Sequence, residues 1–288
     1  MPHLQVSIDL GTEQFDAAIG LLTELGFDSF MEEGDTLFAY IPKALWTSEL
    51  EFETLSIAKS LTETEVSLSV HELEEKNWNA EWESTLQPIE VSERIAIVQK
   101  GRPYENTAGR ILIEINPKMS FGTGYHETTR LMIRLIETLL RPTDTVLDIG
   151  TGTGVLAIAA RVLGNQNPIL GFDNDPWSVE NAIENVEANR CSEIEIRALD
   201  AMQGLGSVLE ERTYSFVLGN VNILALEALI PVLGKQLSES AYFLMSGVLK
   251  YDEPKLRSLL VNGGFEVLSV LGEGEWIAIA SQKKSVSF

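Results

Sequence analysis

The 288 residues exceed one ordinary domain and carry a net charge of −22, from 43 acidic and 21 basic side chains. So acidic a surface repels nucleic-acid backbones and favours basic partners, and it also helps to keep a chain in solution. A single cysteine, Cys191, and three histidines argue against a disulfide framework, a cysteine-based metal cluster or a zinc site. With no apolar run long enough to span a membrane and no signal peptide at the start, a soluble cytoplasmic protein is expected.

Leu4, Val6, Ile8 and Leu10 alternate as a half-buried strand does, and Phe15, Ala18, Ile19, Leu22 and Leu25 then recur at helical spacing before Gly26 as C-cap. Residues 27–31 and 36–41 read as two strands around the polar turn Glu32-Glu33-Gly34-Asp35. Ser48 with Glu51 fits a capping box opening a helix to about Leu61, and Val66, Leu68 and Val70 alternate again. The order β-α-β-β-α-β over residues 1–72 predicts a ferredoxin-like α+β domain. It shows no chemistry, which leaves a substrate-recognition module or a structural appendage.

Residues 73–86 read as a polar connector becoming helical, with Trp78 and Trp82 on one face, either packed at a domain junction or used on the substrate. Strand character returns at Ile95–Val98 and at Ile111, Ile113 and Ile115, around a polar loop from Lys100 to Arg110. The segment 116–129 then brings glycines, hydroxyls and His126 to the start of a helical run from Arg130 to Leu140, where free N–H groups are expected. His126 suits a general base near an amine or a loop-holding residue.

The chain is organised around residues 146–160, where Val146-Leu147-Asp148-Ile149 feeds Gly150-Thr151-Gly152-Thr153-Gly154 and an Ala-rich helical run. Strand, tight glycine turn and helix suit a ligand lying against the backbone. A dinucleotide fingerprint would place its third glycine where Val155 stands. The G-x-G-x-G spacing after Asp148 instead resembles the first motif of class I S-adenosylmethionine-dependent methyltransferases. A second strand, residues 169–173, ends in Asp173, roughly 20 residues beyond the glycines, where a ribose-binding acid is expected. Asp173 or Asp175 could equally cap the helix that follows Pro176; both roles fit if Asp173 is the ligand and Asp175 the cap.

Strands follow at 194–198 and 216–220, and an apolar strand at 241–244. A helix over 253–260 ends at Gly263-Gly264, and a hairpin joins 265–271 to 276–281. Residues 282–288 read as frayed. Asp200 stands where related methyltransferases contact the adenine amine, or is a solvated loop acid. Asn220 ends its strand without the Pro-Pro-aromatic continuation typical of enzymes that methylate planar nitrogens.

Phe121-Gly122-Thr123-Gly124 followed by His126 and Thr128-Thr129 resembles the signature ahead of the methyltransferase core in the PrmA family, which usually has Pro where this chain has Glu127. The core turn, residues 172–176, Asn220, residues 246–249 and the paired tryptophans occur in that family's order, so the resemblance spans essentially the whole chain. It implies a doubly wound class I methyltransferase sheet of Rossmann-like type over 87–288, with a terminal antiparallel hairpin, behind a helical linker and the ferredoxin-like domain. It further implies S-adenosylmethionine as cofactor and trimethylation of lysines, and of an N-terminal amine, on large-subunit ribosomal protein eleven. Thr129, Asp148, Gly150, Thr151, Gly152, Asp173, Asp200 and Asn220 are the expected cofactor residues, and Asn220 is also expected to orient the amine. A monomer with no direct nucleic-acid or membrane contact is expected. The competing readings are a methyltransferase for another protein or small molecule, and a non-catalytic ribosome assembly factor.

Overall fold

The computed structural model describes residues 3–62, 64–73, 86–118 and 120–285. The chain divides into two compact units, Met1–Trp78 and Asn79–Phe288. Of the predicted linker helix over 73–86, residues 74–85, with Trp78 and Trp82, lie outside those described.

The first unit runs β1 (His3–Asp9), α1 (Phe15–Glu24), β2 (Ser29–Glu33), β3 (Thr36–Pro42), α2 (Ser48–Leu61) and β4 (Leu68–Glu72). Its antiparallel sheet has the order β2-β3-β1-β4, which is the ferredoxin-like topology. The alternation seen in the sequence is the packing pattern. Leu4, Val6 and Ile8 of β1 stand opposite Ile41, Ala39 and Leu37 of β3, and these six form a core with Phe15, Ala18, Leu22 and Ala58 from the helices. Two details differ from expectation. The cap of α2 is Thr47, whose hydroxyl accepts from Leu50 N–H, so Ser48 is already the first helical residue. The strand expected at 27–31 starts two residues later, because Phe27 is drawn into the core at the helix exit.

The second unit opens with a small sheet of β5 (Ile89–Glu90), β6 (Ile95–Val98) and β7 (Ile111–Glu114), in which β6 and β7 are parallel. Neither β5 nor the separateness of this sheet was visible in the apolar pattern. Next come α3 (Glu127–Leu139), β8 (Val146–Ile149), α4 (Val155–Val162), β9 (Ile169–Asp173), α5 (Pro176–Ala188), β10 (Ile194–Ala198), α6 (Ala201–Glu211) and β11 (Phe216–Asn220). The chain ends with α7 (Ile223–Gln236), β12 (Tyr242–Leu249), α8 (Glu253–Asn262), β13 (Phe265–Glu273) and β14 (Trp276–Lys283). The seven-stranded sheet has the order β10-β9-β8-β11-β12-β14-β13, parallel except for β14, which runs against both neighbours.

Both faces of this sheet are covered, so its strands read as continuous apolar runs whose alternate residues enter different cores. Val146, Ile169 and Phe216 pack with α3 and α4 on one face, whereas Leu147, Leu170 and Val217 pack with α6, α7 and α8 on the other. The strand order reverses between β8 and β9 on one side and β11 on the other. A crevice beyond the strand ends at that point is where open α/β sheets bind ligands. No described helix is long and apolar enough to cross a membrane. The strand read at 241–244 continues to Leu249 through an irregularity between Met245 and Val248, and β14 runs two residues past its expected end.

Candidate functional site

Four strand ends and their following turns meet at the reversal point. β8 delivers Gly150, β9 delivers Asp173 and Asn174, β10 is followed by Leu199 and Asp200, and β11 is followed by Val221 and Asn222. Together with the first turns of α6 and α7 these line a cleft of about 260 Å³. Gly150, Asp173 and Asp200 thus share one cavity. Its walls combine an apolar floor, including Ile149, Phe172 and Leu229, with carboxylates on one rim, a surface suited to a nucleoside with a flat base and a polar sugar.

Asp173 receives the Gly152 N–H on one carboxylate oxygen at 2.9 Å and the Asp175 N–H on the other at 3.0 Å. These bonds hold the carboxylate at the cleft, and each oxygen keeps a lone pair for a ligand hydroxyl. Asp175 caps α5, accepting from Trp177 N–H and from the Ser178 N–H and hydroxyl, bonds that hold its pKa below the usual carboxylate value. The two acids therefore divide the roles between ligand rim and helix cap. Asp200 caps α6 through Met202 N–H at 2.8 Å while lining the cleft, so it serves the helix and the rim together.

The remaining residues of the glycine turn are placed differently. Asp148 has no accessible surface, and its Oδ2 accepts the Thr151 hydroxyl at 2.7 Å. Burial pushes its pKa up to about 6. The Thr151 N–H and the Gly150 N–H both donate to Phe172 O. Gly152 has φ +55°, and a Cβ there would collide with the Phe121 carbonyl oxygen. The spacing implied that this glycine admits a ligand. In the structure the Cβ position at Gly152 is taken by the main chain at Phe121, and Asp148, Thr151 and Gly152 build the turn beside the cleft without being among the residues that line it.

A second polar group sits where α3 begins and β11 ends. His126 is the N-cap of α3: its Nδ1 accepts the Thr128 N–H and lies 2.8 Å from the Thr128 hydroxyl oxygen. Because Nδ1 is an acceptor, the hydroxyl donates to it, and the Thr128 oxygen is left to accept from Asn220 Nδ2 at 3.3 Å. That sequence of bonds fixes which way the Asn220 amide faces. Its carbonyl Oδ1 points away from Thr128, buried and without a hydrogen-bond partner among the described residues. The hydroxyl of Thr129, one residue on, is also buried and unpartnered among them, as is Asp148 Oδ1. The His126 ring lies 5.3 Å from that of Phe121 and 4.6 Å from that of Trp276. Nδ1 is committed to the helix start, which favours the loop-holding role for His126.

Buried polar atoms without partners are costly, and in a native protein they call for an explanation such as an absent ligand. Thr129 Oγ1 and Asn220 Oδ1, with the carboxylate-rimmed cleft, fit the methionine and adenosine parts of S-adenosylmethionine. The family model described as ribosomal protein L11 methyltransferase (PrmA) matches residues 10–284. This chain belongs to that family. It is 42% identical to the ribosomal protein L11 methyltransferase of Chlorobaculum tepidum over 98% of this chain and 97% of that one, and 40% identical to that of Chlorobaculum parvum with the same coverage. The crystal structure of ribosomal protein L11 methylase from Lactobacillus delbrueckii subsp. bulgaricus superposes with a TM-score of 0.63 at 28% identity, covering 69% of this chain and 100% of that one. As a member, the protein is an S-adenosylmethionine-dependent methyltransferase.

Asn222, two residues after Asn220, is not among the residues that the family resemblance points to. It lines the cleft and caps α7 by accepting Ala225 N–H at 3.0 Å, a role that Asn before an apolar helix already signals. Asn185 and Asn189 were missed altogether. Asn185 Oδ1 accepts Asn116 N–H, and its Nδ2 donates to Thr153 O at 3.0 Å. Asn189 brackets Glu114 by accepting its N–H and donating to its carbonyl. Asn181 completes the series by donating to Pro117 O.

Proposed function

We propose that this chain transfers methyl groups from S-adenosylmethionine to lysine side chains of ribosomal protein L11, through to the trimethylated state, and to that protein's N-terminal amine. The names of the relatives support the substrate, and the unpartnered Oδ1 of Asn220 supports the chemistry. Bound S-adenosylmethionine supplies an electrophilic methyl group on a sulfonium. Gly150 and Asp173 then hold the ribose, Asp200 the adenine amine, and Thr129 lies on the methyl-donor side.

A lysine ammonium, with a pKa of about 10.4 in water, has no lone pair to offer until it loses a proton. Desolvation lowers that pKa, and a fixed acceptor holds the remaining N–H bonds so that the lone pair faces the methyl group. Asn220 Oδ1 is such an acceptor, aimed by the Thr128–His126 bonds behind it. Asn220→Ala should lower kcat by about 10²- to 10³-fold, the scale on which loss of one preorganised hydrogen-bonding group slows a transition state. Full turnover with unchanged cofactor affinity would refute the role.

The first unit captures the substrate. It holds 16 of the 43 acidic residues and 3 of the 21 basic ones, a net −13 that attracts a basic ribosomal protein. The reading is of a monomer acting in the cytoplasm without direct contact to nucleic acid, in keeping with the net charge of −22. The deciding experiment is transfer of labelled methyl from S-adenosylmethionine to purified ribosomal protein L11, followed by mass spectrometry. Trimethyl-lysine supports the proposal in full. Cofactor binding without transfer would move the reading to another acceptor or to a non-catalytic assembly factor.

A further inference from the structure

The glycine turn and the segment Phe121–Tyr125 cross at Thr153, a residue with no accessible surface. Its N–H donates to Phe121 O at 2.9 Å, its hydroxyl donates to Gly122 O at 2.8 Å, and its carbonyl accepts from Asn185 Nδ2 at 3.0 Å. Bonds from one residue to two consecutive carbonyls fix the crossing segment in rotation as well as in distance. Space is equally tight. Gly122 has φ +106°, and a Cβ there would lie 2.6 Å from the Thr153 hydroxyl oxygen, while Gly152 leaves no room for one beneath Phe121. Glycine is needed on both sides of the crossing, so the two loops form one interlocked body.

The far end of the segment is held independently. Arg130 Nη1 donates to Gly124 O at 3.0 Å and to Tyr125 O, while its Nε donates to Glu273 Oε1 at 2.8 Å. The His126 cap and Thr128 follow directly on this segment, so a displacement at Gly122 is passed on to the two groups that aim Asn220.

We propose that Thr153 is a positioning residue for methyl transfer, its hydroxyl locking the segment Phe121–Tyr125 to the cofactor turn so that the acceptor side of the site keeps a fixed relation to the donor side. The inference rests on the reading of Asn220 as the amine-orienting group. Thr153 touches neither reactant, and its effect is carried through Gly122, His126 and Thr128.

Thr153→Val keeps the shape and removes the hydroxyl, leaving Gly122 O without its donor; Thr153→Ser restores the donor. With ribosomal protein L11 as acceptor, T153V should lower kcat by about 10- to 100-fold, the scale of a misplacement of about 1 Å, while T153S should recover to within about threefold of wild type. The calorimetric Kd for S-adenosylhomocysteine should change by less than about threefold in both, because no cofactor contact is removed. Glu273→Ala, which loosens the far clamp without touching the turn, should lower kcat several-fold, again with cofactor affinity kept. Wild-type kcat in T153V, a T153S variant as slow as T153V, or cofactor affinity falling in step with turnover would each overturn the proposal. Hydrogen exchange separates this inference from the choice of acceptor. The amide of residue 153, bonded to Phe121 O, should exchange about tenfold faster in T153V as the crossing opens. If wild type transfers no methyl to L11, the acceptor reading fails alone, and an unchanged exchange rate in T153V would overturn the interlock.

Discussion

The two units place their polar residues in opposite ways. Among the described residues the first unit buries a single polar side chain, Thr54, whereas the second buries fourteen, most of them around the glycine turn and the loops crossing it. The first unit instead keeps its charge on the outside, at net −13 against −9 for the larger second unit. Buried polar groups bonded to one another define a unique geometry, as group transfer requires, while exposed like charges define only a field. On the proposed function, the difference is a division of labour in which capture is long-ranged and tolerant, and chemistry is short-ranged and exact.

Separating the units is the strongest way to break that division. A chain of residues 79–288 should keep cofactor affinity within about threefold but lose about 10²- to 10⁴-fold in kcat/KM for protein substrate, the range expected when tethered capture is removed. Calorimetry and the labelled-methyl assay read the two quantities. Loss of both would mean that the first unit is needed for the fold of the second.

The next effect is in stability and sharpens the comparison by its sign. Asp148 is buried with a pKa raised to about 6 from the usual 3.8. The folded chain therefore binds this proton more tightly than the unfolded one, and the associated stability, present below about pH 3.8, is lost as pH rises to about 6 and stays lost above. Asp148→Asn, a neutral isostere, should match wild type near pH 4 and exceed it above pH 6 by up to about 3 kcal/mol in urea unfolding. Asp9 of the first unit behaves in the opposite way. Hydrogen bonds from Ser67 and Thr36 lower its pKa, so its contribution is present above the unfolded value and lost as pH falls through the folded one. A wild-type profile that D148N leaves unaltered would show that Asp148 ionises as freely when folded as when unfolded.

The smallest effect is that of salt. KM for the protein substrate should rise roughly three- to tenfold between about 0.05 and 0.3 M salt as the field of the first unit is screened, with kcat steady. A fall in kcat with no change in KM would place the charge effect in the second unit.

What could be read from the chain follows the range of the contacts. The glycine turn, Asp173 as rim and Asp175 as cap depend on neighbours in sequence and were legible. Helices α6 and α7 were not: Gly204 and Gly206 interrupt the first, and Pro231 lies inside the second, so each carries residues that ordinarily end a helix. Gly204 is there for packing, since a Cβ would meet the side chain of Leu199. The bonds from Thr153 to Gly122 span 31 residues and those from Asn189 to Glu114 span 75, and no local periodicity reports such pairs. Gly152 shows the same limit, because its need for glycine comes from Phe121 and not from any residue near it in the chain.

The asparagine series on α5 and at its C-cap has a consequence for how this protein can vary. Asn181, Asn185 and Asn189, each one turn of helix after the last, engage residues 114, 116 and 117 through main-chain atoms only. The helix recognises the path of that strand and is blind to its side chains. Side-chain replacements at Glu114 and Asn116 should therefore be tolerated as long as the backbone keeps its course, whereas replacing any of the three asparagines removes a bond to a partner whose identity it never reads.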